Sequence, residues 1–137
     1  MTISCNAPKK TISCILNSAH TTGVASLTAL RQFPMLNKAL YESMRTWIDL
    51  ELGDPALQEI IREHGLKPSS ISQMTLNYLM IRLRNFKGCA TPMVAMDVVL
   101  KAVHTKGPEH ALALLEAHVK HTVSVMCRKF ASQRAAA

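Results

Sequence analysis

Residues 53–76 read GDPALQEIIREHGLKPSSISQMTL, and the glycines and prolines of this segment mark where two helices begin and end. Glycine adopts the left-handed conformation that commonly ends a helix, and proline suits the first turn of the next one. Asp54 directly precedes Pro55, at the position where a side-chain oxygen can cap a helix. Gly65 and Pro68 then separate this helix from its successor. The segment therefore predicts two consecutive helices joined by a short turn.

The same pattern continues on both sides of this segment. Proline follows a glycine-containing turn again at Pro92 and Pro108, and Pro34 marks a further helix start. Apolar residues at helical spacing predict helices at about 35–52, 55–64, 69–87, 92–106 and 108–130, with a short one near 25–32. Connections this short place consecutive helices side by side. The predicted fold class is all-α, a compact five- to six-helix bundle.

The helix predicted at about 69–87 is apolar on two sides. One side carries Ile71, Met74 and Tyr78. The other carries Leu76 and Leu79. Since a helix that is apolar over most of its circumference is usually buried, this helix is predicted to be central in the bundle.

The two ends of the chain differ from the predicted bundle. Residues 1–23 are interpreted as a basic N-terminal arm, in which Thr2-Ile3-Ser4-Cys5 recurs as Thr11-Ile12-Ser13-Cys14. A flexible arm is the first interpretation, and a hairpin-like arm, formed by the β-branched residues around a turn, is the alternative. Residues 24–130 are the predicted helical bundle domain, and residues 131–137 are predicted to be a disordered tail.

The composition is typical of a helical domain with reduced thiols. Apolar residues make up 48% of the 137-residue chain and aromatic residues 4%, which suits helix packing better than sheets. No apolar run approaches the roughly 20 residues of a membrane span, so no membrane segment is expected. Scattered cysteines without a CxxC pair predict an intracellular, cytoplasmic protein, with the nucleus as the alternative. They are Cys5, Cys14, Cys89 and Cys127.

Charge is unevenly distributed along this basic chain, whose formal net charge is +7. Residues 42–63 hold six acidic residues against two basic ones, whereas residues 64–137 hold ten basic residues against three acidic ones. Such segregation creates a long-range field that attracts a polyanion or the acidic face of a protein. A basic surface that serves only solubility is the alternative.

No catalytic or metal-binding motif stands out, so the chain is predicted not to be an enzyme and to need no cofactor. His110, His118 and His121 lie within an arc of roughly 80° on one predicted helix. A structural zinc site usually has four ligands in closely spaced pairs. These histidines are therefore interpreted as helix-surface residues, and no metal site is predicted.

Nucleic acid is the leading predicted partner. Arg82, Arg84 and Lys87 surround Phe86, so cations that bind phosphate accompany a ring that can stack on an unpaired base. Phe86 in the core, with the cations placed favourably at a helix C-terminus, is the alternative. Further predicted phosphate contacts are Lys9, Lys10, Lys120, Arg128 and Lys129, and Arg134 adds positive charge near the C-terminus.

The segment from Leu57 to Thr75 also resembles a helix-turn-helix motif with Gly65 at its turn. Residues that this motif would present to phosphates or base edges are Ser69, Ser70, Ser72 and Gln73. His64 and Ile61 depart from the pattern, since the first position is usually apolar and the second usually small.

A different resemblance covers residues 35–125. Its residues include Thr91-Pro92-Met93, Val98-Val99-Leu100, Val103, Lys106-Gly107-Pro108, and Ala111 through Leu115. They resemble the fourth and fifth helices of a caspase-recruitment domain of the death-fold superfamily, and Ala56–Leu66 is similar to its second helix. The resemblance implies a six-helix bundle that assembles with like domains through acidic and basic patches. The chain departs from that family in a longer third helix and in a fifth helix without the usual aromatic residues.

These observations predict a non-enzymatic basic helical protein that binds the RNA or DNA backbone as a homo-oligomer. Abundant methionine and apolar residues in a small bundle favour self-association. Its size and charge fit a viral or mobile-element accessory protein. A caspase-recruitment-like interaction module with an acidic protein partner is the alternative.

Overall fold

The computed structural model describes residues 6–80 and 95–136, and these residues form seven α-helices without a β-strand. The helices are α1 (Asn6–Thr22), α2 (Leu27–Leu30), α3 (Pro34–Glu51), α4 (Pro55–His64), α5 (Pro68–Met80), α6 (Ala95–Lys106) and α7 (Pro108–Ala136). The all-α prediction is confirmed. None of the helices in the described part of the chain is long and apolar enough to cross a bilayer.

Several helix boundaries lie where the glycines and prolines predict them. The Asp54 carboxylate accepts a hydrogen bond from the backbone N–H of Ala56 at 3.0 Å, capping α4. Gly65 ends α4 with a left-handed φ of 62°. A residue with a Cβ would adopt this conformation only at a cost of about 1 kcal/mol or more. Pro68 and Pro108 each begin the following helix.

Helix α7 forms the centre of the bundle. Its 29 residues give it a length of about 44 Å, and it packs against α1, α3, α4, α5 and α6. Its buried residues recur every three or four positions: Ala111, Leu115, Val119, Val123, Met126, Cys127 and Ala131. This spacing forms one continuous apolar stripe, against which the shorter helices can bury their own apolar faces.

The central position predicted for the helix at about 69–87 therefore belongs to α7 instead. In α5, Ile71, Leu76 and Leu79 are fully buried. Met74 and Tyr78, predicted to share a side of the helix with Ile71, are 43% and 50% exposed, so the described helices cover that side only in part. Helical spacing identified apolar residues correctly but could not specify which of them another helix would cover.

The N-terminal segment requires the largest correction. Residues 6–22 form α1, not the flexible or hairpin-like arm predicted for residues 1–23. Its buried side chains recur at helical spacing: Ile12, Ile15, Leu16 and Ala19. They pack against α3, α6 and α7. The hydroxyl-bearing residues that favoured a hairpin fit the helix because their hydroxyls can bond a carbonyl one turn earlier, as Thr11 does to Ala7 at 3.2 Å.

The C-terminal residues are also helical where a disordered tail was predicted for residues 131–137. Helix α7 continues to Ala136, and Ala131 is buried. The sequence after Phe130 contains alanine, serine, glutamine and arginine but neither glycine nor proline. Alanine, glutamine and arginine have high helix propensity, so the helix propagates beyond the last large apolar residue.

Polar side chains fix the shorter helices against the rest of the bundle. The Asp97 carboxylate on α6 accepts a hydrogen bond of 2.8 Å from the backbone N–H of Leu27 at the start of α2. His104 Nε2 lies 2.6 Å from the carbonyl oxygen of Val24, tying the connection between α1 and α2 to α6. These contacts hold the α1–α2 connection on the side of the bundle formed by α6.

If α1 is a core helix, Leu16→Ala should lower the free energy of unfolding by about 2–5 kcal/mol, because it removes a fully buried side chain and leaves a cavity. Cys14→Ala is the matched control on the exposed side of the same helix and should change stability by less than about 0.5 kcal/mol. Chemical denaturation followed by circular dichroism measures both.

Equal, small effects of Leu16→Ala and Cys14→Ala would contradict the packing of α1. Should Leu16→Ala fail to fold, Ile12→Val provides a milder test, with an expected loss of about 0.5–1.5 kcal/mol.

Candidate nucleic-acid interface

A surface groove lies between the turn that joins α4 to α5 and the C-terminal end of α7. Its volume is about 400 Å³, and its lining residues are Gly65, Leu66, Lys67, Ser70, Phe130, Gln133 and Arg134. We call it the α4–α7 groove. Its lining combines two cations, two polar side chains and two apolar side chains, and the lining residues within the described chain include no acidic one.

One wall of the α4–α7 groove is built by the helix-ending turn at Gly65. The N–H of Gly65 bonds to the carbonyl of Arg62 at 3.3 Å, and the N–H of Leu66 bonds to that of Ile61 at 2.9 Å. This arrangement closes the C-terminus of α4. It also turns Leu66 toward the core, against which this side chain packs. Lys67 follows immediately and is exposed.

The Lys67 backbone also begins α5. Its carbonyl oxygen accepts hydrogen bonds from the N–H groups of Ser70 at 3.1 Å and Ile71 at 3.3 Å. Lys67 and Ser70 are thereby held on one rigid turn of chain beside the groove. The partial positive charge of a helix N-terminus adds to that of the lysine.

The other wall is the last part of α7. Phe130, Gln133 and Arg134 are spaced three and four residues apart, which places them on one face of the helix. Phe130 is half-buried and packs against the core, whereas Gln133 and Arg134 are exposed. This wall depends on the helical state of residues 131–136.

Within the described residues, the predicted phosphate contacts do not gather at one place. Arg128 and Lys129 are exposed on the same end of α7 as the groove, and Lys10 is exposed on α1. Lys9 and Lys120 come together at a separate place, around Glu116. The predicted cluster of Arg82, Arg84, Phe86 and Lys87 lies outside the described residues.

Lys9 and Lys120 both pair with Glu116. Each ammonium nitrogen lies 3.1 Å from the Glu116 Oε1, and the side chains of Lys9, Glu116 and Lys120 are 24%, 35% and 56% exposed. The Lys9 nitrogen also lies 5.5 Å from the centroid of the Trp47 ring, close enough for a cation–π attraction. Glu116 therefore offsets part of the positive charge that the sequence assigned to a phosphate-binding surface.

These two lysines change the acidity of Glu116. Hydrogen bonds from Lys120 and then from Lys9 hold the pKa of Glu116 below its ordinary value of 4.5, while partial burial opposes this shift. The charge-assisted contacts with the ionised carboxylate outweigh its desolvation. The ion-pair cluster links α1 to α7.

The residues that a helix-turn-helix motif would present outward differ in their exposure. Ser69 and Ser70 are exposed. Ser72 was predicted to face outward but is buried, and its hydroxyl donates a hydrogen bond of 2.6 Å to Asp49 Oδ1 on α3. Gln73 is half-buried and donates to Asn77 Oδ1 at 2.9 Å. Ser72 thus connects α5 to α3 instead of offering a hydroxyl to DNA.

The three histidines of α7 differ in their exposure to solvent. His110 and His121 are exposed, and His118 is half-buried. Among the described residues, no three histidine, cysteine, aspartate or glutamate side chains are arranged to hold a metal ion.

The sequence interpretation missed Lys67, Phe130 and Gln133 as members of one site. Gly65 and Pro68 revealed the turn, and the helix predicted at about 108–130 ends at Phe130. No local signal brings two segments separated by more than 60 residues together, because the packing of α4 and α5 on α7 does so.

No protein-family model, no curated protein and no solved structure matches the chain. The functional assignment therefore depends on the residues and geometry of the molecule itself.

Glu116→Gln should lower the free energy of unfolding at neutral pH by about 0.5 kcal/mol, a value appropriate to partly exposed ion pairs. Because the folded-state pKa of Glu116 is depressed, its stabilisation is present above the ordinary carboxyl pKa and is lost as the pH falls through the folded-state pKa. The difference between wild type and variant should therefore shrink as the pH falls below the ordinary pKa of Glu116 and vanish below its folded-state pKa.

Chemical denaturation across this pH range measures the effect, and Glu59→Gln is the control for removing an exposed carboxylate without this lysine pair. A wild-type advantage that grows on acidification would contradict the assignment.

Proposed function

We propose that this protein is a non-enzymatic nucleic-acid-binding protein that contacts the RNA or DNA backbone through the α4–α7 groove. The observation that carries the proposal is the convergence of Lys67 and Arg134 from the two walls of one groove, with Ser70 and Gln133 beside them. A groove with this lining attracts an anion and can donate hydrogen bonds to it.

The two cations have complementary chemistry toward phosphate. The Arg134 guanidinium can form two parallel hydrogen bonds to phosphate oxygens, and the Lys67 ammonium acts as a compact point charge. Each phosphate contact releases condensed counterions, so such binding weakens as salt rises. Phosphate contacts of this kind fix position on a strand without selecting its sequence.

The basic surface extends beyond the groove. Arg128 and Lys129 are exposed on the same end of α7 and add positive charge there, although neither lines the groove. The cluster of Arg82, Arg84, Phe86 and Lys87 remains part of the proposal on the sequence argument alone. Lys9 and Lys120 contribute less, since Glu116 binds both.

Self-association is the second part of the proposal. Large apolar side chains stay exposed on α5 and α7, at Met74, Tyr78 and Val125, and around the start of α3, at Phe33 and Met35. Exposed apolar surface favours contacts between protein copies. A homo-oligomer would repeat the basic groove and strengthen binding to a long strand.

We further propose an intracellular, cytoplasmic location, with the nucleus as the alternative. Cys14 and Cys127 are free thiols, which is typical of a reducing compartment.

A homotypic interaction module, like a caspase-recruitment domain, is the second candidate. The observation that favours it is the exposure of five acidic residues on and between α3 and α4: Glu42, Asp49, Asp54, Glu59 and Glu63. This acidic surface could meet the basic end of α7 on another copy.

Lys67→Ala/Arg134→Ala should weaken binding to labelled RNA or DNA about tenfold or more. It should also reduce the slope of log affinity against log salt concentration by the contribution of about two phosphate contacts. Fluorescence anisotropy with single- and double-stranded RNA and DNA at about 50 and 200 mM salt measures both quantities. Wild-type affinity should fall at least about tenfold over this range.

The matched control is Lys38→Ala/Lys101→Ala, which removes the same formal charge from exposed lysines outside the groove. Equal losses in the two double variants would show that net charge, not the groove, determines affinity. Absence of binding at low salt would contradict the proposed function. Salt-sensitive self-assembly without nucleic-acid binding would favour the homotypic module.

A further inference from the structure

We infer that the α4–α7 groove accepts single-stranded nucleic acid, with one unpaired base stacked on Phe130 and an adjoining phosphate held by Lys67 and Arg134. This inference rests on the proposed function and adds the form of strand that the groove selects. The residues that support it line one groove: an aromatic ring, which suits a base, and two cations, which suit a phosphate.

The size of the groove favours a single nucleotide over a duplex. Its volume of about 400 Å³ lies in the range of sites that take small ligands. The bases of a duplex are stacked on one another, so no base face is available to a protein ring unless the duplex opens. An unpaired strand exposes its base faces.

Phe130 provides an apolar surface for a base. The ring is half-buried, packs against the core and lines the groove beside Leu66. Because packing already restrains the ring, a base that stacks on it costs little side-chain entropy. Stacking on an aromatic ring accepts any base, which agrees with the backbone-directed cations of the same groove.

The positions of the cations match this arrangement. Arg134 follows Phe130 by four residues on α7, so the two side chains lie on one helix face. Lys67 lines the groove from the opposite wall, on the turn before α5. A nucleotide seated on Phe130 therefore has a cation on either side for its phosphate.

The test compares three labelled probes with wild-type protein: an oligothymidylate strand, a strand of equal length with abasic sites in place of its bases, and a duplex of that length. Wild type should bind oligothymidylate about tenfold more tightly than the abasic strand, because only the base can stack. Phe130→Leu should remove this preference by lowering affinity for oligothymidylate about tenfold, to that of the abasic strand.

Phe33→Leu is the matched control, since Phe33 is an exposed phenylalanine that does not line the groove; it should keep the full preference. A Phe130→Leu protein that retains the preference, or that loses affinity equally for single strand and duplex, would overturn the inference. Denaturation midpoints check that both variants fold. If Phe130→Leu does not fold, equal wild-type affinity for the thymidylate and abasic strands still overturns it.

The inference and the proposed function fail in different ways. Binding that depends on Lys67 and Arg134 but is indifferent to bases would leave the function intact and remove the stacking role of Phe130. Failure of these probes and of single- and double-stranded RNA to bind at low salt would remove both.

Discussion

Burial of the apolar stripe of α7 is the constraint on which the other helices depend. The stripe recurs every three or four residues from Ala111 to Ala131, and five of the other helices pack against α7. Each shorter helix exposes too much apolar surface to be stable alone, and α7 provides a common surface on which that area leaves water. α1 illustrates this dependence: its local sequence is compatible with an arm or hairpin, but its buried residues meet α3, α6 and α7 when it is helical.

The candidate site is a consequence of the same packing. The turn at Gly65 and the end of α7 each have a local structural cause, namely a left-handed glycine and an uninterrupted run of helix-forming residues. Neither creates a binding surface by itself. The groove exists because α4 and α5 pack on α7, which brings Lys67 to Arg134 and Phe130. The chemistry of the site thus depends on the helical continuation of α7 to Ala136.

Tertiary contacts also redistribute the positive charge of the chain. The sequence counts Lys9 and Lys120 as members of a basic surface, but both are bound to Glu116. Their attraction for an external phosphate is reduced by an internal carboxylate, and the ion pairs link α1 to α7 instead. Lys67, Arg128, Lys129 and Arg134 remain at the other end of the bundle. The +7 net charge therefore indicates long-range attraction for anions but does not show where a site lies.

The sequence alone determined the helical class, the ends of α4 and the starts of α5 and α7. These features depend on local backbone preferences, such as the left-handed φ of Gly65 and the fixed φ of Pro68. It also identified the apolar residues that most of the helices bury. Only the tertiary structure decided that residues 6–22 join the core, that Ser72 faces Asp49 and that α7 has the central position. It also decided that Lys67 lines one groove with Phe130 and Arg134. The reason is that periodicity shows which face of a segment is apolar but not which segment covers it, since that choice depends on contacts between residues distant in the chain.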